Sequence, residues 1–156
     1  MKKSIKKSIT LFVAVCAVAV SGFAGIAMNV MAEPGDNPNT DDTKYTYDCS
    51  SDTVKYTSWR RKWNATKIYV YPVSGPTLYY RVQGTIKGVP YVTDNESDTV
   101  KISTGVRGSI ISYVWEDKND YARLRLRRVH YAPEETIGYW SPDSTRAYTV
   151  FGSYRD

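Results

Sequence analysis

The sequence has little of what most catalytic centres are made from. Its 156 residues hold one histidine, His130, and two cysteines, Cys16 and Cys49. Triad hydrolases and histidine-rich metal centres need more such groups than this. Leucine is scarce too: beyond residue 32 only Leu78, Leu124 and Leu126 occur. No stretch there repeats apolar residues at i, i+3, i+4 and i+7 over three helical turns, which excludes a helical bundle. A strong excess of one charge is also missing. The formal +5 owes four charges to Lys2, Lys3, Lys6 and Lys7, and beyond them stand 17 basic against 16 acidic residues. That balance argues against a nucleic-acid partner, which a strongly basic chain would suggest.

The four N-terminal lysines belong to a segment with its own logic. A basic start is followed by an uncharged, mostly apolar run, Ile9 to Val20, and then by small residues ending in Val30-Met31-Ala32. These are the three regions of a secretory signal peptide, expected over residues 1–32. The apolar run of 12 residues is short of the roughly 20 needed to span a bilayer, so no stable membrane insertion is expected after cleavage. Cys16 lies inside this run behind Val15 rather than behind a small residue, which disfavours lipidation. Cleavage after Ala32 leaves a secreted or extracellular chain of 124 residues, Glu33 to Asp156. A chain of that length buries about two thirds of its unfolded surface and folds alone.

What is abundant is aromatic. All 14 tyrosines and all four tryptophans lie beyond residue 32. Each buried ring removes about 150–250 Å² from water, which compensates for the shortage of leucine. Aromatic and β-branched side chains suit a pleated surface. From Thr53 onward, short runs of this composition alternate with turn residues such as Ser74-Gly75-Pro76 and Glu116-Asp117-Lys118-Asn119-Asp120. The pattern predicts an all-β domain over residues 53–156, an antiparallel β-sandwich of about seven to nine strands. Pro72 is expected to end one strand, and Gly84 to mark a bulge or kink. Residues 33–52 differ: six acids stand against Lys44, with Pro34, Gly35 and Pro38 among them. They read as an acidic flexible tail. Cys49 falls in that tail and is expected to be exposed and dispensable for folding, with a disulfide dimer as its candidate use.

Chemistry concentrates in two basic clusters. In Tyr121-Ala-Arg-Leu-Arg-Leu-Arg-Arg128 the alternation turns Ala122, Leu124 and Leu126 to the core. Arg123, Arg125 and Arg127 then share the outer face at about 6.5–7 Å spacing, twice the strand rise. Such a stripe suits phosphate, carboxylate or sulfate groups. Acids on neighbouring strands would close it and make it structural. Arg60-Arg61-Lys62 lies between Trp59 and Trp63, and Arg60, Arg61 and Trp63 are candidates to bind a polymer by charge and stacking. Tyr113, Trp115, Tyr139 and Trp140 are a weaker candidate for a sugar-binding platform, because rings in so leucine-poor a chain are wanted in the core. The acidic turns Asp94–Asp98 and Asp117–Asp120 match no calcium-ligand spacing. His130 and Cys49 are the one nucleophile–base combination, and acidic surroundings disfavour the thiolate. Glu134 and Glu135 are adjacent and point to opposite faces of a strand. No catalytic residue, metal site or cofactor is expected, and the chain is not read as an enzyme.

The order of motifs from Trp63 to Ser144 resembles a family of small secreted bacterial proteins known only as a domain of unknown function. The matching pieces are Arg61-Lys-Trp-Asn64, Thr77-Leu-Tyr-Tyr80, Val100-Lys-Ile-Ser-Thr-Gly105, Ser112-Tyr-Val-Trp115, Ala122-Arg-Leu-Arg-Leu126 and Ile137-Gly-Tyr-Trp-Ser-Pro142. The resemblance implies a small secreted β-sandwich and carries no functional residues. More distantly, the strand pattern and the Gly-x-Trp-Ser ending are similar to small secreted β-sandwich bacteriocins. The expectation is a non-catalytic binding or interaction protein of the bacterial cell surface, with an anionic envelope polymer or a surface protein as partner. A bacteriocin-like toxin acting on related cells is the alternative.

Overall fold

The computed structural model describes residues 39–86 and 94–155. The expected signal peptide, the start of the acidic segment and most of the expected strand through Val92 lie outside the described residues. Among the described residues there are eleven strands and no helix: β1 (Thr43–Asp48), β2 (Val54–Tyr56), β3 (Arg60–Arg61), β4 (Ile68–Ser74), β5 (Leu78–Thr85), β6 (Asp94–Asn95), β7 (Val100–Ile102), β8 (Gly108–Ile110), β9 (Tyr121–Arg128), β10 (Glu135–Ser141) and β11 (Thr149–Phe151). The fold is the expected all-β sandwich. The strand number exceeds the expectation because six of the eleven are only two or three residues long.

One sheet runs β1-β10-β4-β8-β11, the last pair parallel; the other runs β2-β9-β5-β6, with β3 added to β9 and β7 to β5. Their facing sides alternate as period two requires. Tyr45, Tyr47, Ile68, Val70, Ile110 and Trp140 from the first sheet meet Leu78, Tyr80, Val82, Leu124, Leu126 and Ile102 from the second, all under a tenth exposed. Aromatic rings fill the volume that leucines fill elsewhere. The two central tyrosines keep their polar ends satisfied by pairing across the sandwich, with Tyr45 Oη 2.9 Å from Tyr80 Oη. Gly138 makes this possible, since a Cβ there would fall 2.3 Å from the Tyr45 hydroxyl.

Four expectations are corrected. The flexible tail does not extend to residue 52: Thr43–Asp48 is β1, paired with β10 from Thr43↔Trp140 to Asp48↔Glu135. Tyr45, Tyr47 and Cys49 alternate with Lys44, Thr46 and Asp48, and the first three are buried. The acids that made the segment look solvated close a turn instead. Asp48 Oδ1 accepts from Ser50 N at 2.8 Å and Ser50 Oγ at 2.6 Å, and Asp48 Oδ2 from Ser51 Oγ at 2.8 Å. These bonds hold its carboxyl well below the usual range. Cys49 is therefore not exposed: it is 0 % accessible, with Sγ 3.6 Å from Thr136 Oγ1, so the expected disulfide dimer would require β1 to open. Pro72 does not end its strand. β4 runs through it to Ser74, and Pro72 faces Gly138 where the register with β10 shifts, at a bulge that tolerates a missing N–H. Gly84 likewise sits in regular pairing with Ala122. It is there for clearance, since a Cβ would lie 2.8 Å from Glu96 Cγ.

Candidate functional site

The strand β9 is the spine of the second sheet. It pairs with β5 along eight residues, from Leu78↔Arg128 to Thr85↔Tyr121, and with β2 and β3 on its other side. Ala122, Leu124 and Leu126 are buried, as their alternation requires. Arg123, Arg125 and Arg127 therefore stand on the outer face in single file. Cross-strand partners share a face, which adds further residues. Arg81 lies opposite Arg125, Tyr79 opposite Arg127, and Lys101 beyond Tyr79 on β7. On the other side Tyr56 lies opposite Arg125, and Arg61 opposite Tyr121.

This face thus gathers six cations: Arg61, Arg81, Arg123, Arg125, Arg127 and Lys101. Among the described residues none of them is ion-paired to an acid; the ion pairs there are Lys55–Asp52, Lys62–Asp143, Arg155–Glu96 and Arg155–Asp117. The guanidinia lean on rings and neutral groups instead. Arg123 lies 4.2 Å from the Tyr56 ring centroid and 4.3 Å from that of Trp59, and donates to Gln83 Oε1 at 2.9 Å. Arg127 sits 5.0 Å over Tyr79, and Arg61 3.8 Å over Trp63. Arg81 donates through Nε to the Ser97 carbonyl at 3.1 Å. Partial burial pulls the Arg123 pKa down, offset only by Tyr56.

Of the six sequence-predicted site residues, the structure brings Arg61, Arg123, Arg125 and Arg127 onto one face. Trp63 joins through the ring beneath Arg61. Arg60 does not join: its β9 partner is inward-facing Ala122, and its guanidinium donates to Asn39 Oδ1 at 2.7 Å and to the Asp41 carbonyl. Sequence reasoning missed Arg81 and Lys101. Each stands alone between neutral neighbours in the sequence, and only strand register carries it to the stripe.

Lys62, adjacent to Arg61, turns the other way and is wholly buried. Its Nζ donates to Asp143 Oδ1 at 3.0 Å, to the Pro142 carbonyl at 2.8 Å and to the Thr66 carbonyl. Asp143 Oδ2 accepts from the backbone N–H groups of Asn39 at 2.8 Å and Trp63 at 3.1 Å. The aromatic platform is not assembled. Trp140 is buried in the core, and the Tyr113 ring is covered by Arg155 at 4.1 Å. The two acidic turns do meet, around buried Glu96, whose Oε1 accepts from Asn119 Nδ2 at 2.7 Å. Burial, with Asp117 beside it, pushes the Glu96 carboxyl up to about 7. No group of three side chains suited to hold a metal ion occurs among the described residues. A groove of about 440 Å³ opens beside β8 and β11, lined by Tyr113, Tyr148, Tyr154, Lys67 and Arg146 among others, and contains no sequence-predicted binding residue.

The profile of the family described as "Protein of unknown function (DUF2712)" matches residues 28–144, three quarters of the chain. A search of the curated proteins found no match, and a search of the solved structures found none.

Proposed function

The chain belongs to the DUF2712 family of proteins of unknown function, and we propose that this member is a secreted, non-catalytic binding protein of the bacterial cell surface that holds an anionic envelope polymer on the outer face of its second sheet. The observation that carries this reading is the open charge of that face. Six cations share it without an acid partner among the described residues. A face that needed only to be wet could be built from serine, threonine or glutamine. Cations stacked on rings are held in place while their N–H edges stay free for an anion. The signal-peptide pattern of residues 1–32 supports export to the compartment where envelope polymers lie.

The test is co-sedimentation of the secreted protein with isolated envelopes. Binding is expected to fall steeply as salt rises from 0.1 to 1 M, where the screening length shortens from about 10 to 3 Å. It should be lost in a variant with Arg123, Arg125 and Arg127 all replaced by serine. A folded triple variant that binds as before would end the proposal. The bacteriocin-like alternative rests on the strand pattern and the Gly138-Tyr-Trp-Ser141 ending. It predicts that the purified protein stops growth of related cells, which adhesion alone does not.

A further inference from the structure

The outer face holds one pair that the stacking does not explain. Arg81 and Arg125 are direct cross-strand partners on β5 and β9. Side chains so placed have Cβ atoms about 4.5–5.5 Å apart, and like charges there repel. Among the described residues no acid relieves the pair. Arg81 donates to the Ser97 carbonyl; Arg125 has no ion pair with an acid among the described residues; and the partner of Arg125 on its other flank is Tyr56. Two arginines paired across neighbouring strands suit an anion whose oxygens can be shared between two donors, as those of phosphate can.

The rings narrow the ligand further. Polymers with rings, whether nucleobases or sugars, gain affinity by stacking on exposed aromatic faces. Here each ring beside the stripe already carries a guanidinium against one face, Tyr56 and Trp59 that of Arg123, Tyr79 that of Arg127 and Trp63 that of Arg61, and of these rings only Tyr56 and Trp63 keep more than a third of their surface exposed, 45 % and 39 %. Along β9 the charges repeat at about 6.5–7 Å. A backbone with one phosphate for every two or three carbons carries charge at a similar interval. A glycan with one carboxylate per disaccharide carries it further apart.

We propose that the Arg81–Arg125 pair is a phosphate clasp, and that the polymer held along β9 is a ring-poor phosphodiester, a polyol phosphate. This inference rests on the reading of the face as a polyanion site, and goes beyond it by fixing the chemical class. Neighbouring phosphates would meet Arg123 and Arg127 on either side of the clasp.

The experiment compares the binding of the wild-type protein to poly(glycerol phosphate), single-stranded DNA, hyaluronate and poly-glutamate at equal charge concentration and 0.1 M salt. Poly(glycerol phosphate) is expected to bind at least tenfold tighter than the two carboxylate polymers and tighter than DNA. Arg81→Gln and Arg125→Gln, each checked for native melting, should each weaken it about tenfold and leave the carboxylate polymers nearly unchanged. Equal binding of all four polymers would overturn the clasp and leave a general polyanion site standing. Tighter binding of DNA would overturn the polyol class in favour of a nucleic acid. Binding to none of them would overturn both the clasp and the polyanion reading. The four-polymer comparison needs no variant, so a variant that fails to fold leaves it intact.

Discussion

Two basic clusters, Arg60-Arg61-Lys62 and Arg123 to Arg127, look alike in the sequence and end in opposite situations. In the first, three consecutive residues go three ways. Arg60 donates to Asn39 and to the Asp41 carbonyl, Arg61 lies over Trp63, and Lys62 is buried against Asp143. In the second, strand alternation keeps every charged residue from 123 to 127 on one face. The difference lies in where the counter-charge is. Lys62 has an acid and two carbonyls about its ammonium group, so protein alone satisfies it. The β9 arginines have ring faces and amide oxygen but no acid among the described residues. A closed cation holds the fold together, whereas an open one remains available to something outside it.

The sharpest way to break this comparison is at the closed cation. Lys62→Met should leave Asp143 buried with its charge unanswered, at a cost of about 3–5 kcal/mol. In a domain of this size that lowers the melting temperature by roughly 10 °C or more. Asp143→Asn should act in the same direction. The pair also ties Asn39 and Trp63 to the turn after β10, so hydrogen exchange should quicken at both. A loss below 1 kcal/mol in thermal denaturation would mean that the buried pair is no more important than a surface one.

A second closed group gives a pH signature. Glu96 titrates near 7 in the fold against 4.5 for an ordinary glutamate. Between those values the folded state keeps a proton that the unfolded chain releases. Stability should therefore be fully present below about pH 4.5 and fall as pH rises toward 7, by on the order of 3 kcal/mol. Asp117, held low by its bond to Arg155, contributes the opposite slope, fading as pH drops below its unfolded value. Glu96→Gln keeps an acceptor for Asn119 and removes the proton exchange. Melting temperatures from pH 4.5 to 7.5 should lose the downward trend in this variant, and an unchanged trend would place the titration elsewhere.

Cys49 tests the strand that the acidic composition concealed. Cys49→Ser puts a more polar group at a 0 % exposed site, and an expected loss of about 1 kcal/mol, a few degrees, follows from its burial. The native thiol should resist alkylation until the protein unfolds. Rapid labelling under native conditions would show β1 detaching from β10.

The same region shows what the sequence could and could not say. The sandwich, the β9 alternation and the outward line of Arg123, Arg125 and Arg127 were all legible, because period-two patterning encodes direction directly. Tyr45, Tyr47 and Cys49 carry that pattern too, but the surrounding acids read as solvation until Asp48 was seen to close its own turn. Arg81 and Lys101 were not legible as site residues, since pairing register is a long-range property. In the sequence Lys62 groups with Arg60 and Arg61, because two-residue β3 is too short to show an alternation.

The smallest expected effect on stability lies at the open cations, and its sign separates the two readings. Structural arginines should cost stability when neutralised. A repelling pair should give some back. Arg125→Gln keeps most of the side-chain stem and removes the charge facing Arg81, so the fold is expected to gain about 0.2–1 kcal/mol. Arg125→Glu converts the repulsion to attraction and should gain at least as much. Both should weaken binding to poly(glycerol phosphate), so stability and binding move in opposite directions. Raising salt should narrow the stability gap between wild type and variants, because screening relieves the same repulsion. A destabilised Arg125→Gln would mean that the stripe holds the fold together and belongs with Lys62 among the closed cations.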